Sequence, residues 1–349
     1  MSKGMRKMLL LRSIHTNRKK IEMTKEELRI VFFGTPYFAV ESLKRLVDGG
    51  YNVVAVVTMP DKPAGRGRQL QQSDVKRFAE ERGLPVLQPA SLKDEAFLEE
   101  LRSLAAQLFI VIAFRMLPEA VWQMPPLGTF NLHASLLPRY RGAAPINWAV
   151  MNGDTETGVT TFFLKHEIDT GDVIQQRSCP IGRHDDVEAV HDRLMVMGAN
   201  MVVETVDAII EGTVTPIPQE QMLTSGQQPT PAPKIFKETC QIDWSRPAEA
   251  LYNHIRGLSP YPAAWTILVN ENGTELTTLK IFRTGEPEPF SADVRPSPGT
   301  ILADRKTLRV AAADGWLEVL SLQQSGKKRM DTDAFLRGYT IPEGGHCKF

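Results

Sequence analysis

Phe130-Asn131-Leu132-His133-Ala134-Ser135-Leu136-Leu137-Pro138-Arg139-Tyr140-Arg141-Gly142 reads as a short strand running into a tight loop that holds Pro138 and Gly142. Alternate side chains of a strand share a face, so Asn131 and His133 point the same way. A carboxamide and an imidazole then lie side by side near the strand's carboxyl end, where open α/β sheets bind ligands. Asn131 offers a neutral donor, and His133 can donate or shuttle a proton near neutral pH. The pair suits a carbonyl oxygen on which charge grows during attack.

The flanking sequence predicts the sheet around this strand. Upstream, an apolar run at 28–33 is followed by Gly34 and by a helix over 36–48, with Thr35 as N-cap and Gly49-Gly50 as the stop. The turn is not G-x-G-x-x-G, so the dinucleotide fingerprint is absent. Strands at 53–58, 85–87 and 107–113 alternate with helices at 73–82 and 91–104. Downstream come a helix over 144–151, strands at 158–164 and 173–177, and a long helix over 187–210 capped by Asp185 or Asp186. Its methionines recur at helical spacing with Val190, Leu194 and Val206, which marks them as core. The alternation predicts an α/β fold, a Rossmann-like, mostly parallel sheet with helices on both faces.

Beyond residue 212 the character changes. Pro216, Pro218, Pro229, Pro231 and Pro233 make 213–233 read as an extended linker. A short helix at 247–256 and strands at 264–269, 275–282, 299–303, 308–311 and 316–321 predict a small OB-like β-barrel over 234–349, a scaffold often used to hold nucleic acid. The catalytic part is thus expected over 23–212. Residues 1–22 form a basic extension with no acid before Glu22. It reads either as a transit peptide for the mitochondrial matrix or as a tail ahead of a start at Met23, the latter pointing to a bacterial cytoplasm.

The 349 residues suit two domains, and 42% hydrophobic with 23% charged residues is ordinary for a globular chain. Zero formal net charge means that a nucleic-acid partner must be met by local basic patches. Cys179, Cys240 and Cys347 fit no zinc spacing and no disulfide framework. No window reaches the length of a membrane span.

Asp169, in the Asp169-Thr170-Gly171-Asp172 loop, can face His133, orient its ring and relay protons through water. The long connection over 59–70 carries Lys62, Arg66 and Arg68 among glycines, a composition that suits phosphates. Lys234 and Lys237 after the linker, and Lys327 and Lys328 in a turn, give the second domain basic character.

The N-x-H-x-S-L-L-P-x-x-x-G pattern of Asn131 to Gly142 resembles the signature of folate-dependent formyltransferases. Phe33-Gly34-Thr35-Pro36, the Pro60 to Gly67 stretch, Arg141 to Ile146, Asp169 to Asp172, Ile242-Asp243-Trp244, Pro298 to Ile301 and Leu322 to Lys328 resemble the members that act on methionyl-tRNA. The resemblance runs in order over about 28–340. It implies 10-formyltetrahydrofolate as formyl donor, no metal, and transfer to the α-amine of methionyl initiator tRNA by a monomer. It places Asn131, His133 and Asp169 as the catalytic set and Ser135, Leu136, Leu137 and Pro138 against the folate. Lys62, Arg66, Arg68, Lys234, Lys237, Lys327 and Lys328 fall to the tRNA, with Arg66 foremost. Phe114-Arg115 departs from the family's Tyr-Gly pair beside the pterin. Three readings stand beside this one: a glycinamide ribonucleotide formyltransferase, which needs no second domain; a formyltetrahydrofolate hydrolase, with water as acceptor; and a tRNA-binding protein without activity.

Overall fold

In the computed structural model the apolar run after Leu28 becomes β1 (Ile30–Gly34), buried at every position. The structure describes residues 23–64, 69–223 and 228–348, so the 1–22 extension lies outside the described residues. β1 leads into α1 (Tyr37–Asp48), which buries Phe38, Ala39, Leu43 and Leu46 along one face. Pro36, not Thr35, holds the N-cap position: its ψ of 170° delays the first helical residue by one. Thr35 Oγ1 is buried without a hydrogen-bond partner among the described residues.

β2 (Val53–Val57) follows, and the connection expected as a bare loop folds back as a hairpin of β3 (Lys62–Ala64) and β4 (Gln69–Gln71). α2 (Asp74–Glu81) is capped by Ser73, which accepts the Lys76 N–H at 3.0 Å. After β5 (Val86–Leu87), α3 (Glu95–Ser103) starts later than its sequence suggests. The reason is Asp94, whose carboxylate accepts the amides of Ala96 and Phe97 and makes it the better cap. β6 (Leu108–Ile112), the short α4 (Glu119–Trp122) and β7 (Thr129–His133) come next. They are followed by β8 (Arg141–Gly142), α5 (Pro145–Met151), β9 (Glu156–Phe163), β10 (Val173–Pro180) and α6 (Val187–Glu211). Asp186, one of the two expected caps of α6, accepts the Ala189 N–H at 3.0 Å.

The seven-stranded sheet has the order β10-β9-β7-β6-β1-β2-β5. From β5 to β7 its neighbours pair in parallel. The chain winds outward from β1 in one direction through β2 and returns on the other side at β6. That reversal makes a topological switch point at the carboxyl ends of β1 and β6. The described chain divides into two compact units. One holds residues up to Leu132, Thr161–His166 and Gly198–Ile217; the other holds His133–Thr160, Glu167–Met197 and the residues from Pro218 onward.

The stretch read as an open linker carries structure. Gln219–Met222 forms a 3₁₀ turn, and β11 (Pro231–Ala232) pairs in parallel with β8. α7 (Ala248–Leu258) then precedes β12 (Ala264–Val269), β13 (Glu275–Thr284), β14 (Glu288–Pro289), β15 (Ile301–Ala303), β16 (Leu308–Ala311), β17 (Gly315–Gln324), β18 (Met330–Asp331), α8 (Thr332–Gly338) and β19 (His346–Lys348). The main path of their antiparallel sheet runs β15-β16-β17-β13-β12-β19. A bridge between Thr300 and His346 joins its two edges, and the Cys347 N–H donates to the Gly299 carbonyl at 2.8 Å. The sheet thereby closes on itself, as a barrel does to remove its edges. Gly299 is needed there: its φ is +83°, and a Cβ would sit 2.2 Å from the Cys347 carbonyl oxygen. Trp244, Leu251, Ile255, Leu268, Leu279 and Leu317 fill the interior.

His254, on α7, is buried with Nε2 unpartnered among the described residues, and burial pushes its pKa down to about 4. The unfolded chain binds this proton from about pH 6.5 downward, while the fold resists it until about 4. Stability is therefore full above the unfolded value and is lost as pH falls through this window, by on the order of 3 kcal/mol. Urea unfolding at pH 7 and pH 4.5 checks this: His254→Gln is expected to lose less stability than the parent over the same interval.

Candidate active site

β7 delivers Asn131 and His133 to its carboxyl end. Asn131 is partly exposed and pairs in register with Val111 of β6. His133 is 7% exposed. Its Nε2 lies 2.8 Å from the Tyr140 carbonyl, which can only accept, so Nε2 carries a proton and donates. Nδ1 faces Asp169 Oδ2 at 3.9 Å, an ion-pair distance longer than a direct hydrogen bond.

Both partners of His133 sit on strained backbone. Tyr140 has φ +60° and Asp169 φ +54°, the left-handed region that residues other than glycine seldom occupy. Such conformations persist where the surroundings over-determine them. The Tyr140 hydroxyl donates to Asp154 at 2.7 Å and accepts from Asn152 at 3.1 Å. Burial raises this hydroxyl's pKa above its ordinary range. Arg139 also pairs with Asp154, at 2.6 Å. Asp169 Oδ2 accepts the Gly142 N–H at 2.8 Å. Gly142 itself has φ +126°, and a Cβ there would meet the Ala232 carbonyl oxygen at 2.5 Å. Only glycine lets β11 lie this close while its own amide holds the carboxylate.

The Ser135–Pro138 loop is tightly tied. Ser135 Oγ donates to the Arg139 carbonyl at 2.6 Å, and Thr160 Oγ1 donates to the Ser135 carbonyl at 2.6 Å. Gln176 Nε2 donates to the Leu137 carbonyl at 2.9 Å. Ser135, Leu137 and Pro138 are buried, and Leu136 is half-buried against Gly158. Phe114-Arg115 has a definite role within its own unit. The Arg115 guanidinium donates to the carbonyls of Pro89 and Ala90 at 2.5 and 3.0 Å, and Phe114 meets the Phe33 ring edge-on. Ala113, just before them at the end of β6, has φ +47°.

Of the basic candidates, Arg66 and Arg68 lie outside the described residues, while Lys62 is exposed on β3. Lys234 and Lys237 are both exposed and come together with aromatic rings. Lys234 Nζ is 5.7 Å from the Phe236 ring centroid and Lys237 Nζ is 5.5 Å from that of Trp265. Phe236 is 58% exposed, and Trp265 Nε1 donates to the Lys237 carbonyl. Lys327 and Lys328 stand exposed in the turn after β17. Among the described residues no cluster of His, Cys, Asp or Glu could hold a metal ion, and no helix is long and apolar enough to cross a membrane.

The sequence reading passed over Tyr140, whose carbonyl sets the histidine, and Gln219, fully buried behind Asp169. Tyr140 lay inside the quoted motif and could have been singled out. Gln219, a glutamine between prolines, carried no signal.

Comparison with known proteins bears on this arrangement. The family model described as formyl transferase matches residues 28–206, and the one described as formyl transferase, C-terminal domain, matches residues 234–340. The chain is 62% identical to the methionyl-tRNA formyltransferase of Bacteroides fragilis over 93% of its length and 99% of that protein. It is 54% identical to the one of Porphyromonas gingivalis, over 91% of its length and 98% of that protein. Among solved structures it is similar to an N-formyltransferase from Helicobacter canadensis, in complex with folinic acid and dTDP-3-aminofucose. The TM-score is 0.59 at 18% identity, covering 84% of this chain and 98% of that one, a likeness of fold.

Proposed function

The chain belongs to the formyl transferase family, and from that premise we propose that it moves the formyl group of 10-formyltetrahydrofolate onto the α-amine of methionyl initiator tRNA. The extent of the match carries this reading. Relatives of that name align through the part bearing His133 and Asp169 and on through the barrel. We assign catalysis to 23–212, a connection to 213–233 and tRNA holding to 234–349, a division supported by the two separate family matches. A monomer working in a bacterial cytoplasm completes the reading; the organisms of the relatives support the compartment.

In the proposed reaction the neutral α-amine attacks the formyl carbon, forming the new C–N bond while the carbonyl π pair moves onto oxygen. Asn131 and the imidazolium form of His133 stabilise that oxyanion, the ring through Nδ1–H. The bond to N10 then breaks, N10 takes a proton and tetrahydrofolate leaves. The proton shed by the amine passes to Asp169 through water. The tight ties of the Ser135–Pro138 loop support a folate wall, with Leu136 and the loop backbone offering the contact. Lys62, Arg66 and Arg68 are assigned to the acceptor end, and Lys234, Lys237, Lys327 and Lys328 to the tRNA body.

Formyl mass balance tests the reading. Label from the donor should appear on charged initiator tRNA and scarcely on a charged elongator. Formate released without tRNA would favour the hydrolase, and label on glycinamide ribonucleotide would favour the other transferase. At the basic surface, the Lys234→Ala/Lys237→Ala pair is expected to raise KM for charged tRNA and leave KM for the folate unchanged. It should also flatten the log–log salt dependence by about 1.5 to 2 units, roughly one per lost phosphate contact. An unchanged salt slope would remove these lysines from the tRNA surface.

A further inference from the structure

Gln219 is fully buried, and every hydrogen-bonding position of its amide is taken. Nε2 donates to the Asp169 carbonyl at 2.9 Å and to the Gly171 carbonyl at 2.8 Å. Oε1 accepts from Arg141 Nε at 3.1 Å and from a second guanidinium nitrogen, Nη2, at 2.7 Å. A carboxamide is the side chain with two donors on one atom and two acceptor sites on the next, so no other residue reproduces all four bonds.

These bonds join the two sides of the reacting pair. On one side, Gln219 grips the backbone of Asp169 and Gly171 and so holds Asp169 at φ +54°. On the other, it grips Arg141, whose neighbour Gly142 donates its N–H to the Asp169 carboxylate. β11, from the same Pro-rich stretch, adds a second hold: the Arg141 N–H donates to the Thr230 carbonyl and the Ala144 N–H to the Ala232 carbonyl.

We propose that Gln219 is a positioning residue for formyl transfer, setting the direction of the Asp169 carboxylate toward His133 by pinning the loops that carry Asp169 and Gly142. The inference rests on the formyl-transfer reading above. It gives the stretch after α6 a part in catalysis rather than in connection alone.

Gln219→Leu keeps the bulk and removes all four bonds. Gln219→Glu keeps the length and the acceptor for Arg141 and, as a carboxylate, loses both donors. Both are measured in the full chain with 10-formyltetrahydrofolate and charged initiator tRNA, well below each variant's Tm and per folded molecule. Expected is a fall in kcat of about ten- to a hundredfold, the scale of a displaced catalytic group. KM for both substrates should stay within about twofold. A lowered Tm with kcat of the folded enzyme unchanged overturns the proposal and leaves Gln219 a packing residue. Should Gln219→Leu not fold, Gln219→Glu carries the same test. A parent that transfers no formyl group overturns the functional reading itself, an outcome distinct from an active parent with an equally active variant.

Discussion

His133→Ala is expected to lower the single-turnover rate of formylation by about a hundred- to a thousandfold, the cost of removing one donor aimed at a developing oxyanion. The geometry explains why the loss should fall on the chemical step. His133 is buried at the end of β7 and its Nε2–H is already given to the Tyr140 carbonyl. In the proposed reaction the ring acts through Nδ1–H, on the Asp169 side. The variant also leaves the Tyr140 carbonyl without its donor, so some loss of stability accompanies it, in the range of about 1–3 kcal/mol for an unsatisfied buried group. Rapid-quench formylation with tRNA binding measured in parallel separates the two effects. Near-parental speed in the folded variant would take His133 out of the mechanism.

Asp169→Asn is expected to cost about a hundredfold or more in the same step, the scale of lost acid–base assistance, while leaving the loop in place. Asparagine tolerates the left-handed φ of +54° and keeps an oxygen that can accept the Gly142 N–H. What disappears is the negative charge opposite Nδ1. The two substitutions act on one unit, so their effects should not add: the double variant should be hardly slower than the worse single one. Additive losses would mean that Asp169 acts apart from His133.

The order of strands and helices was legible because each apolar run is bounded by a cap, a glycine or a proline. β7 emerges as the short strand its sequence suggests, and Asp186 caps α6 as one of two candidates. Errors arose where two local signals competed. Thr35 and Pro36 both suit a helix start, and the backbone of Pro36 decided it. The helix expected from residue 91 starts only at Glu95 because the Asp94 carboxylate reaches two amides at once. At the site, strand alternation paired Asn131 with His133, but it could not show which ring nitrogen faces which partner. That depends on Tyr140 turning its carbonyl inward from a left-handed conformation, a tertiary event. The Pro-rich stretch was the least legible. Proline density signals an open chain, yet Gln219 and β11 are held by long-range bonds to Arg141, Gly142 and Asp169 that no local pattern announces.

The most direct test follows the formyl group itself. Purified full-length protein in excess is mixed with 10-formyltetrahydrofolate labelled in the formyl carbon and with charged initiator tRNA, then quenched over time. Direct attack by the amine predicts that label leaves the folate only as N-formylmethionyl-tRNA, one for one, with none on the protein at any time. Label released as formate, or retained on the protein before it reaches the tRNA, would contradict the account.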